Sequence, residues 1–162
     1  MTRLPDQILA DDALQQVLRA LQAQGNRAYL VGGAVRNALL GEAVDDIDIA
    51  TDATPEQTVA LAKAAGLRPV PTGIDHGTVT VVAARRGFEV TTFRRDVSTD
   101  GRHAVVAFSI DLAEDAARRD FTINALYADP AGSVIDPMGG LPDLWARRLR
   151  FVIGNLGIGV GH

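Results

Sequence analysis

The stretch YLVGGAVRNALLGEAVDDIDIATDA, residues 29 to 53, decides what kind of domain this chain forms. Tyr29, Leu30 and Val31 read as a short buried strand that stops at Gly32 and Gly33. Ala34 to Leu40 suits a helix ended by Gly41, and Val44 to Ala50 reads as a second strand. In an extended segment side chains alternate between faces, so Asp46 and Asp48 share one face while Ile47 and Ile49 enter a core. Asp45 falls on the other face. Two carboxylates side by side repel unless a hard cation neutralises them, and Mg²⁺ bridging substrate phosphates does so. The pattern points to phosphoryl or nucleotidyl transfer.

Working outward, Asp6 is placed to cap a helix whose apolar residues Ile8, Leu9, Leu14, Val17, Leu18 and Leu21 run to Gly25. Thr54-Pro55-Glu56 opens another helix, with Pro at its first position, that runs to Ala65 and stops at Gly66. Thr78 to Ala84 and Phe88 to Phe93 are β-rich and read as a hairpin turning at Arg85-Arg86-Gly87. Arg94 to Ala104 is polar, carries Asp100-Gly101 and reads as a mobile loop. Asp111 caps a short helix to Arg118, Ile123 to Ala128 reads as strand, and Ser133 to Ile135 returns beside it. Pro142 opens a last helix toward Arg147, followed by apolar Leu149 to Ile153. The order predicts an α/β domain with a mixed β-sheet flanked by helices. Residues 1–153 form that domain, and the Gly-rich tail from Gly154 is expected to be poorly ordered or differently organised.

The whole chain has 162 residues, 47% hydrophobic and 22% charged, enough for one domain with a real core. A formal net charge of -4 does not advertise tight polynucleotide binding over the whole surface, so any such contact is local. There are no cysteines, which excludes disulfides and thiolate metal sites and fits a reducing compartment. Met1 to Ala10 lacks an apolar signal core, and no apolar run approaches the roughly 18 residues of a membrane helix, so no membrane is expected and the cytoplasm is the default location.

Gly32-Gly33 between strand and helix lets backbone N–H groups approach a triphosphate, and Arg36, one turn into the helix, can reach the same anion. A Gly-Gly turn alone would be an ordinary tight turn; the acid pair on the neighbouring strand makes phosphate grip and metal grip converge. A phosphatase of the haloacid-dehalogenase type is a rival reading of D-x-D, but it wants an apolar strand before the first Asp, where Gly41-Glu42-Ala43-Val44-Asp45 stands here. Glu89 shares a strand face with Thr91 and Phe93 and reads either as a third carboxylate near the metal or as a solvated side chain. Arg118, Arg119 and Asp120 follow a short helix and can fix ribose or phosphate, with Asn124 supporting the loop; the alternative is a basic helix end complementing its dipole. His76 and His103 lack metal-ligand spacing.

Residues 29 to 53 resemble the catalytic head of class II tRNA nucleotidyltransferases and bacterial poly(A) polymerases, in the polymerase-β-like nucleotidyltransferase superfamily. The resemblance continues in order through HGTVTV from His76, FEVTTFR from Phe88, DGRH from Asp100, RRDFTINA from Arg118, IDPMGG from Ile135 and RLRF from Arg148. It implies that Asp46 and Asp48 bind Mg²⁺, that Gly33 and Arg36 contact the triphosphate, and that Arg119 belongs to a nucleotide-binding motif. An RNA 3′-hydroxyl, as at a tRNA end, would attack the α-phosphate of ATP or CTP, with pyrophosphate leaving. The Asp96 to His103 segment would be a flexible element that helps organise the site.

Three departures stand out. Asn37 replaces a more usual Asp, which removes a charge that would orient Arg36, and Ala104 stands where a Pro commonly follows the His. After Phe151 the family's helical neck, with its acidic-Asp-x-x-Arg base selector, does not follow. The expectation is a head domain that lacks base-selecting and tRNA-holding parts, either cut from them or working as a non-catalytic nucleotide-binding module with a partner chain. An uncovered apolar head–neck surface would then favour self-association or a partner.

Overall fold

A computed structural model describes residues 2–98 and 104–152. Its elements are α1 (Asp6–Leu9), α2 (Asp12–Gln22), β1 (Ala28–Val31), α3 (Gly33–Leu39), β2 (Asp48–Thr51), α4 (Pro55–Ala64), β3 (Arg68–Gly73), β4 (Thr78–Ala83), β5 (Arg86–Thr92), β6 (Arg94–Ser98), β7 (Ala104–Phe108), α5 (Leu112–Ala117), β8 (Tyr127–Ala128), β9 (Val134–Ile135) and α6 (Gly140–Trp145). Seven strands form one sheet in the order β3-β4-β5-β2-β1-β8-β9, and β6 pairs with β7 separately. Every pairing is antiparallel except β2 with β5, so the sheet is mixed, as the sequence predicts.

The two faces of the sheet do different things. On one, Leu30, Ile49, Val79, Val81, Phe88 and Val90 pack with Leu14, Val17, Leu18 and Leu21 of α2 in the main core. Period-2 strands and a helix with an apolar stripe meet there, and burial of each large side chain contributes roughly 1.5–3 kcal/mol. On the other face, Val31, Ala50, Phe93, Ala116, Ala125 and Tyr127 make a smaller cluster beneath α5. Among the described residues no helix caps the rest of that second face, from Asp48 across Glu89 to β4 and β3, which carries the polar residues of the site.

Several boundaries move. The first helical stretch is broken in two: Asp11, not Asp6, caps α2 by accepting the Leu14 N–H, and it also pairs with Arg86. The strand expected from Val44 begins only at Asp48, since its partner β1 ends at Val31 and leaves residues 44–47 nothing to pair with. The hairpin turns one residue earlier than expected: Ala83 pairs with Arg86, and Ala84 and Arg85 take φ of 50° and 67°. The polar segment from Arg94 is a hairpin at its base, β6 paired with β7, rather than a loop throughout. Between Ile123 and Ala128 only the last two residues are strand, preceded by a 3₁₀ turn at Thr122–Asn124.

Other expectations hold. Thr54 and Gln57 form a reciprocal capping box with Pro55 at the start of α4, and Asp111 caps α5 through the Ala113 N–H. Residues 99–103 of the expected mobile loop and the Gly-rich tail lie outside the described residues. Among the described residues no helix is long and apolar enough to cross a membrane.

Candidate active site

Asp46, Asp48 and Glu89 line one open cleft of about 390 Å³, together with Ile47, Thr80 and Gly87. Asp48 is the first residue of β2 and Glu89 is its register partner on the parallel strand β5, which puts both carboxylates on the uncapped face. Asp46 precedes the strand, yet the alternation holds: Ile47 and Ile49 are buried while Asp46 and Asp48 are exposed. Of the two readings open for Glu89, the structure brings it to the other carboxylates. Sequence reasoning missed Thr80 and Gly87, because only the pairing of β4 with β5 carries them to the site.

The charge in this cleft is unbalanced. Desolvation and then the negative charge of Glu89 push the Asp48 carboxyl above its ordinary value; the Arg119 guanidinium opposes, and Asp46 and a hydrogen bond with Glu89 add to the rise. A carboxylate held in this way is stabilised by a cation. Among the described residues no three His, Asp or Glu side chains close into a ready-made metal cage. Mg²⁺ does not require one, since it commonly takes one or two carboxylates and completes its shell with water and substrate phosphates. An all-oxygen donor set at the mouth of an open cleft fits that ion.

Beside the cleft stands a second group. Val31 is the register partner of Asp48, so the turn that follows β1 lies next to the carboxylates. Gly32 takes φ 73° and ψ −131°, a conformation that side chains with a Cβ avoid, and its N–H donates to the Leu126 carbonyl at 3.2 Å. Arg36 Nη1 donates to Asn124 Oδ1 at 2.8 Å, and Asn124 Nδ2 donates to Asp120 Oδ1 at 3.3 Å. The substitution at Asn37 leaves Arg36 oriented after all: Arg36 Nε donates to Asn37 Oδ1 at 3.1 Å, and Asn37 Nδ2 donates to the Ala43 carbonyl at 3.2 Å. A neutral amide oxygen thus replaces the expected carboxylate and leaves more of the guanidinium charge uncompensated.

Arg119 is fixed from behind. Its Nη2 donates to Asp115 Oδ2 at 3.0 Å and its Nε to the Tyr127 hydroxyl at 3.1 Å, while that hydroxyl donates to the same Asp115 oxygen at 2.6 Å. Burial pushes the Tyr127 hydroxyl well above its usual pKa, so it stays a donor. Asp115 and Tyr127 were not singled out from sequence; the i,i+4 spacing of Asp115 and Arg119 was the available signal. Arg118 instead pairs with Asp96 at 3.3 Å and ties α5 to the β6–β7 hairpin. Arg94 lies close by. Its pKa is lowered by burial first and by the Arg118 charge next, and among the described residues its buried Nε has no hydrogen-bond partner. Arg94, Arg118 and Arg119 thus gather around the carboxylates of Asp115 and Asp96.

Beneath this group Asp143, wholly buried, collects hydrogen bonds from Thr122 Oγ1 at 2.5 Å, Arg148 Nε at 2.8 Å and Arg150 Nε at 3.0 Å. This clamp holds the 3₁₀ turn that carries Asn124, and so holds Arg36 indirectly.

Carboxylates on adjacent strands, a diglycine turn and guanidinium groups at the edge of a mixed sheet define a head domain of the nucleotidyltransferase type. The chain belongs to the poly A polymerase head domain family, whose sequence model matches residues 28–150. It is 44% identical over 154 residues to a CCA-adding enzyme of Levilactobacillus brevis, covering 94% of this chain and 37% of that one. To the mitochondrial CCA tRNA nucleotidyltransferase 1 of Danio rerio it is 42% identical over 145 residues, 89% of this chain and 34% of that one. Among solved structures, the Bacillus stearothermophilus CCA-adding enzyme in complex with CTP matches with a TM-score of 0.75 at 41% identity, covering 86% of this chain and 33% of that one. A tRNA nucleotidyltransferase complexed with a primer tRNA and an incoming ATP analog matches at 0.62 and 34% identity, covering 80% and 36%. The chain spans about a third of the length of these curated relatives.

Proposed function

We propose that this chain is the catalytic head of a Mg²⁺-dependent nucleotidyltransferase that adds CMP or AMP, from CTP or ATP, to the 3′ end of a tRNA. The observation that carries the reading is the juxtaposition of Asp48 with Glu89 across parallel strands, beside the turn that leads into Arg36. Asp46 and Asp48 hold the metal, and Glu89 completes the negative wall of the cleft. When bound, Mg²⁺ supplies positive charge to the triphosphate and lowers the pKa of the attacking hydroxyl. Gly32 and Gly33 present the backbone to the triphosphate, and Arg36, aimed by Asn37 and Asn124, neutralises it. Arg119, locked by Asp115 and Tyr127, lies near enough to Asp48 to stabilise its charge and is placed for the nucleotide, with Asp120 beside it as an acceptor for ribose. The protein's part is position and charge.

These residues supply the chemistry and the grip on NTP rather than the choice between C and A. Trp145, Leu149 and Phe151, all exposed on or just after α6, support an adjoining segment or partner at that face. The test incubates the chain with Mg²⁺, labelled CTP or ATP, and tRNA lacking its 3′ end, beside Asp46→Ala and Asp48→Ala. Extension by the chain that either variant loses supports the reading. NTP binding with no extension above the variants would favour a non-catalytic module, and no NTP binding would sink both.

A further inference from the structure

Asp46 does not belong to β2; it lies in the segment 41–47 that leads from α3 to that strand. Ile47, 6% exposed, anchors the far end of the segment in the core. At the near end Gly41 turns through φ 73°, and the Glu42 N–H donates to the Asn37 carbonyl at 2.8 Å. Among the described residues, the bond from Asn37 Nδ2 to the Ala43 carbonyl, 3.2 Å long, is the only hydrogen bond made by residues 43–46.

That segment has space to move. Ala43, Val44 and Ile47 border a cavity of about 420 Å³, and Asp46 and Ile47 border the cleft of about 390 Å³, so the chain here runs between two open spaces. A stretch with so few hydrogen bonds opens locally at low free-energy cost, and its one side-chain tether decides how well Asp46 is placed.

The chemistry of position 37 is demanding. A guanidinium only donates and a backbone carbonyl only accepts, so the side chain must offer an acceptor to Arg36 Nε at 3.1 Å and a donor to Ala43. The amide of Asn offers both at once. A carboxylate would still accept from Arg36, but its second oxygen would face the Ala43 carbonyl, oxygen against oxygen, and the tether would be lost.

We infer that Asn37 is a positioning residue for the metal: its amide ties the Asp46 segment to the side chain that also aims Arg36, so that one residue sets metal ligand and triphosphate contact relative to each other. The inference rests on the reading of Asp46 and Asp48 as metal ligands and adds what holds Asp46 in place. Partners of this kind raise metal affinity by ordering a ligand in advance, without touching the ion.

The test is binding of Mn²⁺, a paramagnetic substitute for Mg²⁺, followed by water proton relaxation without nucleotide in the parent chain, Asp46→Ala, Asn37→Asp and Asn37→Ala. By charge alone, Asn37→Asp would tighten Mn²⁺ binding. The inference expects the opposite, about fivefold weaker binding, the worth of one hydrogen bond, and a similar loss in Asn37→Ala, which removes the donor without adding charge. Amide hydrogen exchange at residues 44–46 is expected to speed up in both, with β2 unchanged. Mn²⁺ binding as tight as the parent's or tighter in either folded variant overturns the inference and leaves the functional reading standing. Weaker binding with unchanged exchange at residues 44–46 also overturns it, because the tether is then not what changed. If the parent binds no Mn²⁺, or Asp46→Ala binds it equally well, the functional reading fails and takes the inference with it. A variant whose β2 amides exchange freely has lost its fold, and the other variant then decides; loss of the fold in both assigns Asn37 to stability and overturns the inference.

Discussion

Arg36 of α3 and Asn124 of the 3₁₀ turn before β8 are joined by a 2.8 Å hydrogen bond from guanidinium to amide oxygen. The bond crosses from the helix after the diglycine turn to the loop after α5, so the residues proposed to grip the triphosphate form one connected piece. Asn124→Ala removes the acceptor and leaves Arg36 held only by Asn37. The expected result is about tenfold weaker CTP or ATP binding, near 1.4 kcal/mol, with an unchanged melting temperature. Isothermal titration checks it, and equal affinity of variant and parent would show that Arg36 needs no second partner.

Asp143 makes stability depend on acid. Burial alone would raise its carboxyl, but the hydrogen bonds from Thr122 and Arg148 and the charges of Arg150 and Arg148 prevail and hold it below its ordinary value of 3.8. A lowered folded pKa means that the contribution is fully present above about pH 4 and disappears as pH falls through the folded value. Asp143→Asn is expected to cost about 2–3 kcal/mol at pH 7, since three hydrogen bonds to a charged group go with it. Urea unfolding at pH 7 and pH 3 should show the gap between parent and variant narrowing on acidification.

Gly140 stands where no other residue fits. A Cβ there would run into the Thr122 carbonyl, on the turn that leads to Asn124. Gly140→Ala is expected to destabilise by about 2 kcal/mol or more and to weaken NTP binding in parallel, because displacing Thr122 moves Asn124. Thermal melts with and without CTP would reveal it; a melt unchanged from the parent would contradict the tight packing.

The turn between β4 and β5 offers the opposite change. Ala84 and Arg85 both carry positive φ, the signature of a two-residue hairpin turn that favours Asn-Gly. Ala84→Asn with Arg85→Gly is expected to stabilise by about 1–2 kcal/mol without altering NTP affinity, since each native residue is held in a left-handed conformation. Chemical denaturation measures it directly.

The features legible in sequence were those decided by neighbours along the chain. The diglycine turn, the helix start at Thr54-Pro55 and the alternation of Asp46, Ile47, Asp48 and Ile49 are local signals, and the structure contains all three. What escaped depended on partners elsewhere. Pro69 and Pro71 argue against a strand, yet β3 forms because it lies at the sheet edge, where a missing N–H is tolerated. Asp6 and Asp11 are equivalent as caps by composition, and Asp11 also meets Arg86 from β5. Within the site, Asp46 and Asp48 could be read directly, but the buried backing of Arg119 by Asp115 and Tyr127 could not, because it joins a helix to a strand. Glu89 lay between the two cases: its face was readable and its neighbour was not.

The single parallel pairing in the sheet has a consequence for how the site comes into being. A parallel neighbour cannot be reached by a tight turn, so α4, β3 and β4 all intervene between Asp48 and Glu89. Closing so long a loop is slow compared with local hairpin or helix formation. The carboxylates therefore meet late, after the β4–β5 hairpin has docked on β2, and a nascent or partly folded head carries Asp46 and Asp48 without the third acid. On the proposed reading, full divalent-ion affinity is acquired only when Glu89 joins the pair, so its appearance during refolding would serve as a clock for completion of the sheet.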